Sequence, residues 1–560
     1  MRKRSGLILG FMTRAAMAVV WIGLCAGACA QVEEGTRTRI PAGPYRIAGT
    51  VVNAKTSGLL ARCRVTIADA RHRQSMQSVV TGDDGRFEFH VPAGKYSLEG
   101  EKRGFIAASY DQHEQFSTAI VTGGEFDSEH LTLRLAPNAV LRGQVLDEFG
   151  EPVRQAQVTV YRESHQQGVS RIARFRVAVT DDQGRYEITP LDAGTYFVSA
   201  KATPWYSVRP NSIGDGSSSQ ASPSQSSQVD PSLDVVYPTT FYGDASEAED
   251  AAAIPVRGGD RLEADIHLAP APSLHLTVHV PENNQGVNLP MLQKPVFDGW
   301  EPVANPDIQN VAPGVYEISG IAAGRYMVRT PDASGQMKEP TEVNLNGGGE
   351  LDITAGNATS SIKATVQMEG GGPLPVDLQL GLRNAKRRLI GTRIDEKGKA
   401  NFSDVAAGKY DVVANSMTQA YSVTRIESET GAVAGHELSV PAGASLALKF
   451  TLVGSSVNVE GFAKRGGKGS GGVMVVLVPK NPEANLDRFR RDQSDLDGSF
   501  VLKNVIPGTY TIVAVEDGWE LDWARAAALS PYLERGQTIE VGDRAVATVH
   551  LTDAVEIQNK

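Results

Sequence analysis

One phrase, "TDDQGRYEITPLDAGTYFVSA" at Thr180–Ala200, returns along the chain, and its return limits the possible folds more than any single residue does. Aligned on a glycine and the tyrosine two places on, the copies are "GDDGRFEFHVPAGKYSLEG", the phrase itself, "VAPGVYEISGIAAGRYMVR", "DEKGKANFSDVAAGKYDVVAN" and "SDLDGSFVLKNVIPGTYTIVA". The anchor pairs are Gly94 and Tyr96, Gly194 and Tyr196, Gly324 and Tyr326, Gly408 and Tyr410, and Gly508 and Tyr510. Copies spaced by about a domain length indicate tandem small domains, not a solenoid of short repeats.

Each copy alternates with period two on both sides of a central bend. Tyr186 and Ile188 share one face, and Tyr196, Val198 and Ala200 share another. Such alternation describes strands with one face in a core and one in water. The "D-x-x-G" element is a turn, because aspartate closes an Asx turn and glycine supplies positive φ. The later "A-G" or "P-G" bends the chain into the next strand, where the tyrosine can bury its ring and keep its hydroxyl at the rim. Upstream, "AVLRGQVLDEFGEPVRQAQVTVYR" reads as strand, hairpin, strand. Abundant glycine and few aromatics suit many short strands, so the expected class is all-β sandwich.

At these residues the chain resembles the carboxypeptidase regulatory-like domain, a transthyretin-like sandwich related to Cna protein B-type repeats. The resemblance implies seven-stranded, non-catalytic accessory modules and no particular ligand. Five tandem sandwiches are expected at 45–136, 138–269, 271–356, 359–454 and 455–553. The second carries a Ser-rich insert, Asn211–Ser232, and the fifth a short helix near 519–534. Short linkers predict touching neighbours and a semi-rigid string.

The N-terminus reads as a signal peptide over residues 1–30: a basic start, an apolar stretch, then small residues. Ala28 and Ala30 take the −3 and −1 positions before Gln31, which predicts export to the periplasm, the outer membrane or beyond. Lipidation of Cys29 is the alternative. Losing Arg2, Lys3, Arg4 and Arg14 would deepen a net charge that is already −10. That balance argues against nucleic acid or an anionic membrane as main partner. Cys63 is the one cysteine beyond the signal and reads as a half-buried strand residue, so no intrachain disulfide can form.

Searches for chemistry find little. There is no H-E-x-x-H pair for a zinc peptidase and no G-x-S-x-G elbow. His275 and His279 read as solvent-facing strand histidines, not metal ligands. Gly467, Gly469 and Gly472 read as a hairpin turn, since a β-branched run follows where a nucleotide site needs a helix. Asp83, Asp84, Asp181, Asp182, Asp495 and Asp497 read as turn acids with too few oxygens each for calcium. The first strands lack a core-facing lysine for an isopeptide cross-link. The basic runs "AKRR" at 385–388 and "RFRR" at 488–491 read as solvated loop charge. No cofactor and no catalytic or metal-binding residue is assigned.

Candidate ligand contacts are the aromatics that fall outside the core alternation. Trp205, Tyr206, Tyr237, Phe241 and Tyr242 flank the Ser-rich insert, and Trp519 and Trp523 stand four apart on the expected helix. Exposed rings stack on sugars, so the functional expectation is a non-enzymatic exported scaffold that binds carbohydrate. The alternatives are a structural spacer or adhesion stalk, or an accessory part of an outer-membrane transport or peptidase system that contacts a cell-envelope protein.

Overall fold

The computed structural model describes residues 38–560 except 125, 166–167, 209–229, 231, 280–288, 304–305, 331–340, 348, 353–359, 385–388, 417–419, 429–430, 456, 484 and 543–546. The expected signal peptide with Ala28, Ala30 and Gln31, most of the Ser-rich insert, and "AKRR" lie outside the described residues.

The sheets come in successive pairs, each closing over its own buried cluster. In the first sandwich the strand Tyr45–Asn53 lies between Arg86–Val91 and Leu131–Leu135, antiparallel to one and parallel to the other. The facing sheet centres on Arg64–Asp69 and Gly94–Glu101. The same plan recurs with Ala139–Leu146, Leu274–His279, Ser360–Met368 and Val457–Arg465 as the central strands. In the fifth sandwich, Val555–Asn559 pairs with both sheets and ties them into one.

The repeated tyrosine explains why the phrase recurs. All five rings are buried: Tyr96, Tyr196, Tyr326, Tyr410 and Tyr510. Each hydroxyl donates to the carbonyl four residues upstream, on Pro92, Asp192, Ala322, Ala406 and Ile506, at 2.6–3.1 Å. The ring fills the core while its oxygen satisfies a carbonyl at the bend, so one side chain staples the turn to the strand that leaves it. The preceding bend has its own requirement. Gly85, Gly184, Gly314, Gly398 and Gly498 all take φ between +66° and +80°, where a Cβ is unfavourable.

The sandwiches do not form a string. The first touches the second through a 3.0 Å Lys55–Asp260 ion pair and the Gly259 N–H bond to Pro137. The second reaches the fifth, where Ser170 N–H donates to Asp522 and Ala524 N–H donates to the carbonyl of Gly168. The first also packs on the fifth. Sandwiches one, two and five therefore form a triangle of mutual contacts, with the third held on the second. The fourth meets the fifth where Arg488 donates to Ser422.

Several expectations are corrected by these contacts and by the packing within each sandwich. "RFRR" is not solvated loop charge. Arg490 is half-buried and donates to the carbonyls of Asn504, Asp487 and Phe489, and loss of hydration lowers its pKa. The side chain of Arg491 is 3% exposed and lies at the contact with the first sandwich. The expected helix near 519–534 is broken. A 3-10 turn covers Gly518–Glu520, Leu521 is extended, and the α-helix runs Ala526–Leu533. The break frees Asp522 to meet Ser170. His275 is not simply solvent-facing, because its two ring nitrogens lie 2.6 Å from Glu317 and 2.7 Å from Asp234. Cys63 is fully buried rather than half-buried, and burial pushes its thiol pKa up. Gly466 and Gly467 form the two-residue loop of a hairpin that pairs Arg465 with Lys468.

Candidate functional site

Two interfaces position most of the chemistry that sequence reasoning could not place. At the first–fifth contact, the loop His113–Phe116 leaves the first sandwich and lies on the fifth. His113 stacks on Trp519 with centroids 4.8 Å apart and planes 4° apart. Arg491 points between Phe116, Trp519 and Trp523, with its guanidinium 4.7–5.4 Å from the three ring centroids. Glu114 pairs with that guanidinium through both oxygens. The three rings and the carboxylate surround the cation, while its Nε is buried without a hydrogen-bond partner. Glu114 holds positive φ where it meets Arg491, and Asp111 does so where its carbonyl accepts from Gln493 of the fifth sandwich. Trp519 and Trp523 are therefore committed to a contact inside the molecule.

At the second–third contact, one sheet face does two jobs. On the strand Gln157–Ser164, Val158 and Val160 point into the core, so Gln157, Thr159 and Tyr161 point outward. Lys201 lies opposite Gln157, and Arg174 opposite Tyr161. The hairpin that joins Met291–Val296 to Gly299–Pro302 in the third sandwich presses onto this face. At its tip, Phe297 enters an aromatic box of Tyr161, Phe197 and Phe241 at 4.8–5.7 Å. Phe297 has φ +49°, an unfavourable conformation for a bulky residue that the box holds in place.

Beyond the plug, the same face opens into a cleft of about 530 Å³ lined by Arg154, Gln155, Gln157, Arg174, Lys201 and Glu301, among others. A second lobe of about 390 Å³ continues past Arg174 and Glu301 to Tyr161 and Trp300. Lys201 and Glu301 form a 2.6 Å ion pair at the floor, with side chains only 10% and 11% exposed. The other oxygen of Glu301, near the Tyr161 hydroxyl, is buried without a well-formed hydrogen bond. The volume falls within the roughly 300–1,000 Å³ typical of small-molecule sites.

The expected aromatic cluster of the second sandwich does not share a plane. Trp205 is 83% exposed, with Tyr206 edge-on to it. Tyr206 and Tyr237 both donate to the carboxylate of Glu148. Burial and that carboxylate push the Tyr206 hydroxyl up to about 12. Phe241 is 1% exposed, Tyr237 is buried, and Tyr242 packs against the core. The short pairing of Thr240–Phe241 with the strand Gly194–Lys201 carries these rings inward. Sequence reasoning passed over Arg154, Gln157, Arg174, Lys201, Trp300 and Glu301. The available signal was the outward set Gln157, Thr159 and Tyr161, which read only as the wet face of a strand. Among the described residues, no three His, Cys, Asp or Glu side chains converge as a cation site, and no helix is long and apolar enough to cross a membrane.

Tandem two-sheet units, each closed by the same buried tyrosine, define a β-sandwich repeat protein. More particularly, one of these units is similar to the carboxypeptidase regulatory-like domain. The carboxypeptidase regulatory-like domain model matches residues 140–227, and the model for the second β-sandwich domain of BOS complex subunit NOMO1-like proteins matches 450–529. No curated protein matches the chain. Among solved structures it is similar to the Bacillus anthracis TIE protein, at 11% identity, covering 76% of this chain and 74% of that one, with a TM-score of 0.16. It is also similar to a streptococcal ancillary pilin, at 11% identity, 55% and 98% coverage, and a TM-score of 0.20. BcpA, the major pilin subunit of Bacillus cereus, gives 9% identity, 73% and 99% coverage, and a TM-score of 0.14. At such TM-scores the chains do not superpose as wholes.

Proposed function

We propose that this protein is a non-enzymatic, exported scaffold that binds carbohydrate in the cleft between its second and third sandwiches. The observation that carries the reading is the cleft itself. Two connected lobes are lined by planar hydrogen-bonding side chains on strands and tight turns, with Trp300 at one end. Gln155, Gln157 and the arginines suit hydroxyl-rich ligands, and Trp300 adds an aromatic ring to the lining. Rigid strands favour a preorganised site, which lowers the ordering cost of binding.

The spacer or stalk reading is less well supported. A stalk gains length by keeping its modules in line, whereas here the first and fifth sandwiches meet. The test is retention of the mature chain on immobilised polysaccharides. Retention should weaken in Trp300→Ala and persist in Trp205→Ala. Retention lost only in Trp205→Ala would move the site to the exposed ring beside Tyr206. No retention on any polysaccharide would end the carbohydrate reading and favour a protein partner.

A further inference from the structure

We propose that the glycan taken by this cleft is anionic, with carboxylate or sulfate groups received by Arg154 and Arg174. This rests on the carbohydrate reading above and narrows it. The lining of the larger lobe contains three cations, Arg154, Arg174 and Lys201, and one carboxylate, Glu301. Glu301 is already engaged by Lys201 at 2.6 Å, in a pair nearly closed to solvent. The lobe therefore keeps an excess of two positive charges, and both reside on guanidinium groups.

Neither guanidinium is neutralised from within. Among the described residues, Arg154 and Arg174 have no carboxylate at ion-pair distance. Nearby arginines are used differently: Arg162 pairs with Asp192 at 3.0 Å, and Arg176 donates to the carbonyl of Thr189. The two unpaired arginines also come from separate places. Arg154 sits in the turn before the strand Gln157–Ser164, and Arg174 lies on the neighbouring edge strand Arg171–Val179. Between them lie Gln155 and Gln157, which can donate to and accept from sugar hydroxyls. Guanidinium groups flanking neutral amides match a polymer whose charged groups alternate with hydroxyls. The planar fork favours carboxylates and similar oxyanions, which it can bind through two parallel hydrogen bonds.

The chain as a whole carries −10, so an acidic polymer is repelled at long range. At physiological salt, that repulsion is screened beyond about 8 Å, while contacts inside the cleft survive. The site is thus a local positive exception on an acidic molecule.

The test uses the full mature chain in affinity electrophoresis, with polygalacturonate, dextran sulfate or neutral dextran in the gel. We expect retardation by a charged polymer and none by neutral dextran. The ratio between the two charged polymers tells carboxylate from sulfate ester. The Arg154→Gln/Arg174→Gln double variant should lose about tenfold in affinity, or about 1.4 kcal/mol. The same loss is expected between roughly 0.15 M and 0.5 M salt. Arg185→Gln, at an exposed strand arginine outside the cleft, should bind as the parent does, and matching thermal melts show that the variants fold. Equal retardation by neutral dextran overturns the anionic assignment and leaves the carbohydrate reading standing. Retardation by charged polymers that ignores the double variant also overturns it. No retardation by any polymer, together with no retention on immobilised polysaccharides, removes both.

Discussion

The contact between the first and fifth sandwiches and the contact between the second and third show two ways of joining the same module. The first–fifth contact links segments about 375 residues apart and is dense. A caged arginine, a stacked histidine, and backbone bonds such as Leu496 N–H to the carbonyl of Ala119 leave little open space. The second–third contact joins chain neighbours and is only half closed, with Phe297 filling one end and the cleft open at the other. Neighbours are already tethered, so their interface can leave polar surface open for a ligand. Distant modules have no short tether, and their interface must supply the stability that holds them together.

If that contrast holds, breaking the distant contact should cost most. Arg491→Ala leaves Glu114 without its partner, so we expect a loss of about 3–5 kcal/mol in unfolding free energy. Small-angle scattering should show a longer particle as the first sandwich leaves the fifth. An unchanged scattering profile would mean that the caged arginine does not hold the triangle. At the tethered contact, Phe297→Ala should cost about 2–3 kcal/mol and loosen the third sandwich without lengthening the particle as much. Chemical denaturation of both variants compares the two directly.

The module's internal staple provides a baseline for both. Tyr196→Phe or Tyr510→Phe removes one hydrogen bond from a ring that stays packed, for a loss of about 1 kcal/mol each. A similar loss in both sandwiches would show that the tyrosine serves the module and not its neighbours.

The smallest effect expected is a pH dependence at His275. Burial alone would lower its pKa, but the hydrogen bonds to Asp234 and Glu317 outweigh burial and raise it above the usual 6.5. A raised folded pKa means that the folded state binds the proton more tightly. The stabilisation is therefore complete below about pH 6.5 and is lost as pH rises through the folded value. Asp234 belongs to the end of the second sandwich and Glu317 to the third, so this proton should help to hold the tethered contact. Thermal melts across that window should fall more steeply for the parent than for His275→Gln. Parallel curves would show that the clamp does not contribute.

The module was legible because its signals are local. A strand alternates over six residues, a turn needs its glycine within four, and the tyrosine bonds four residues back. The interfaces were not legible because nothing local marks a surface that will be covered. "RFRR" looks solvated until Phe116 and Glu114 arrive from a sandwich about 375 residues earlier. Gln157 and Arg174 look like ordinary wet positions until the third sandwich roofs them. Tyr237 and Phe241 looked free because a two-residue strand is too short to show a period.

The turn acids of the repeat differ between copies in one instructive respect. Asp181 and Asp395 spend a side-chain oxygen closing their own bends, each accepting two backbone N–H groups. In the fifth copy, Asp497 takes the Ser499 N–H instead, and the freed carboxylate of Asp495 receives Lys95 and the Ala119 N–H from the first sandwich. A spare acid in a bend lets an otherwise interchangeable unit accept a specific address. Two such units can recognise each other while the frame that made them alike stays intact.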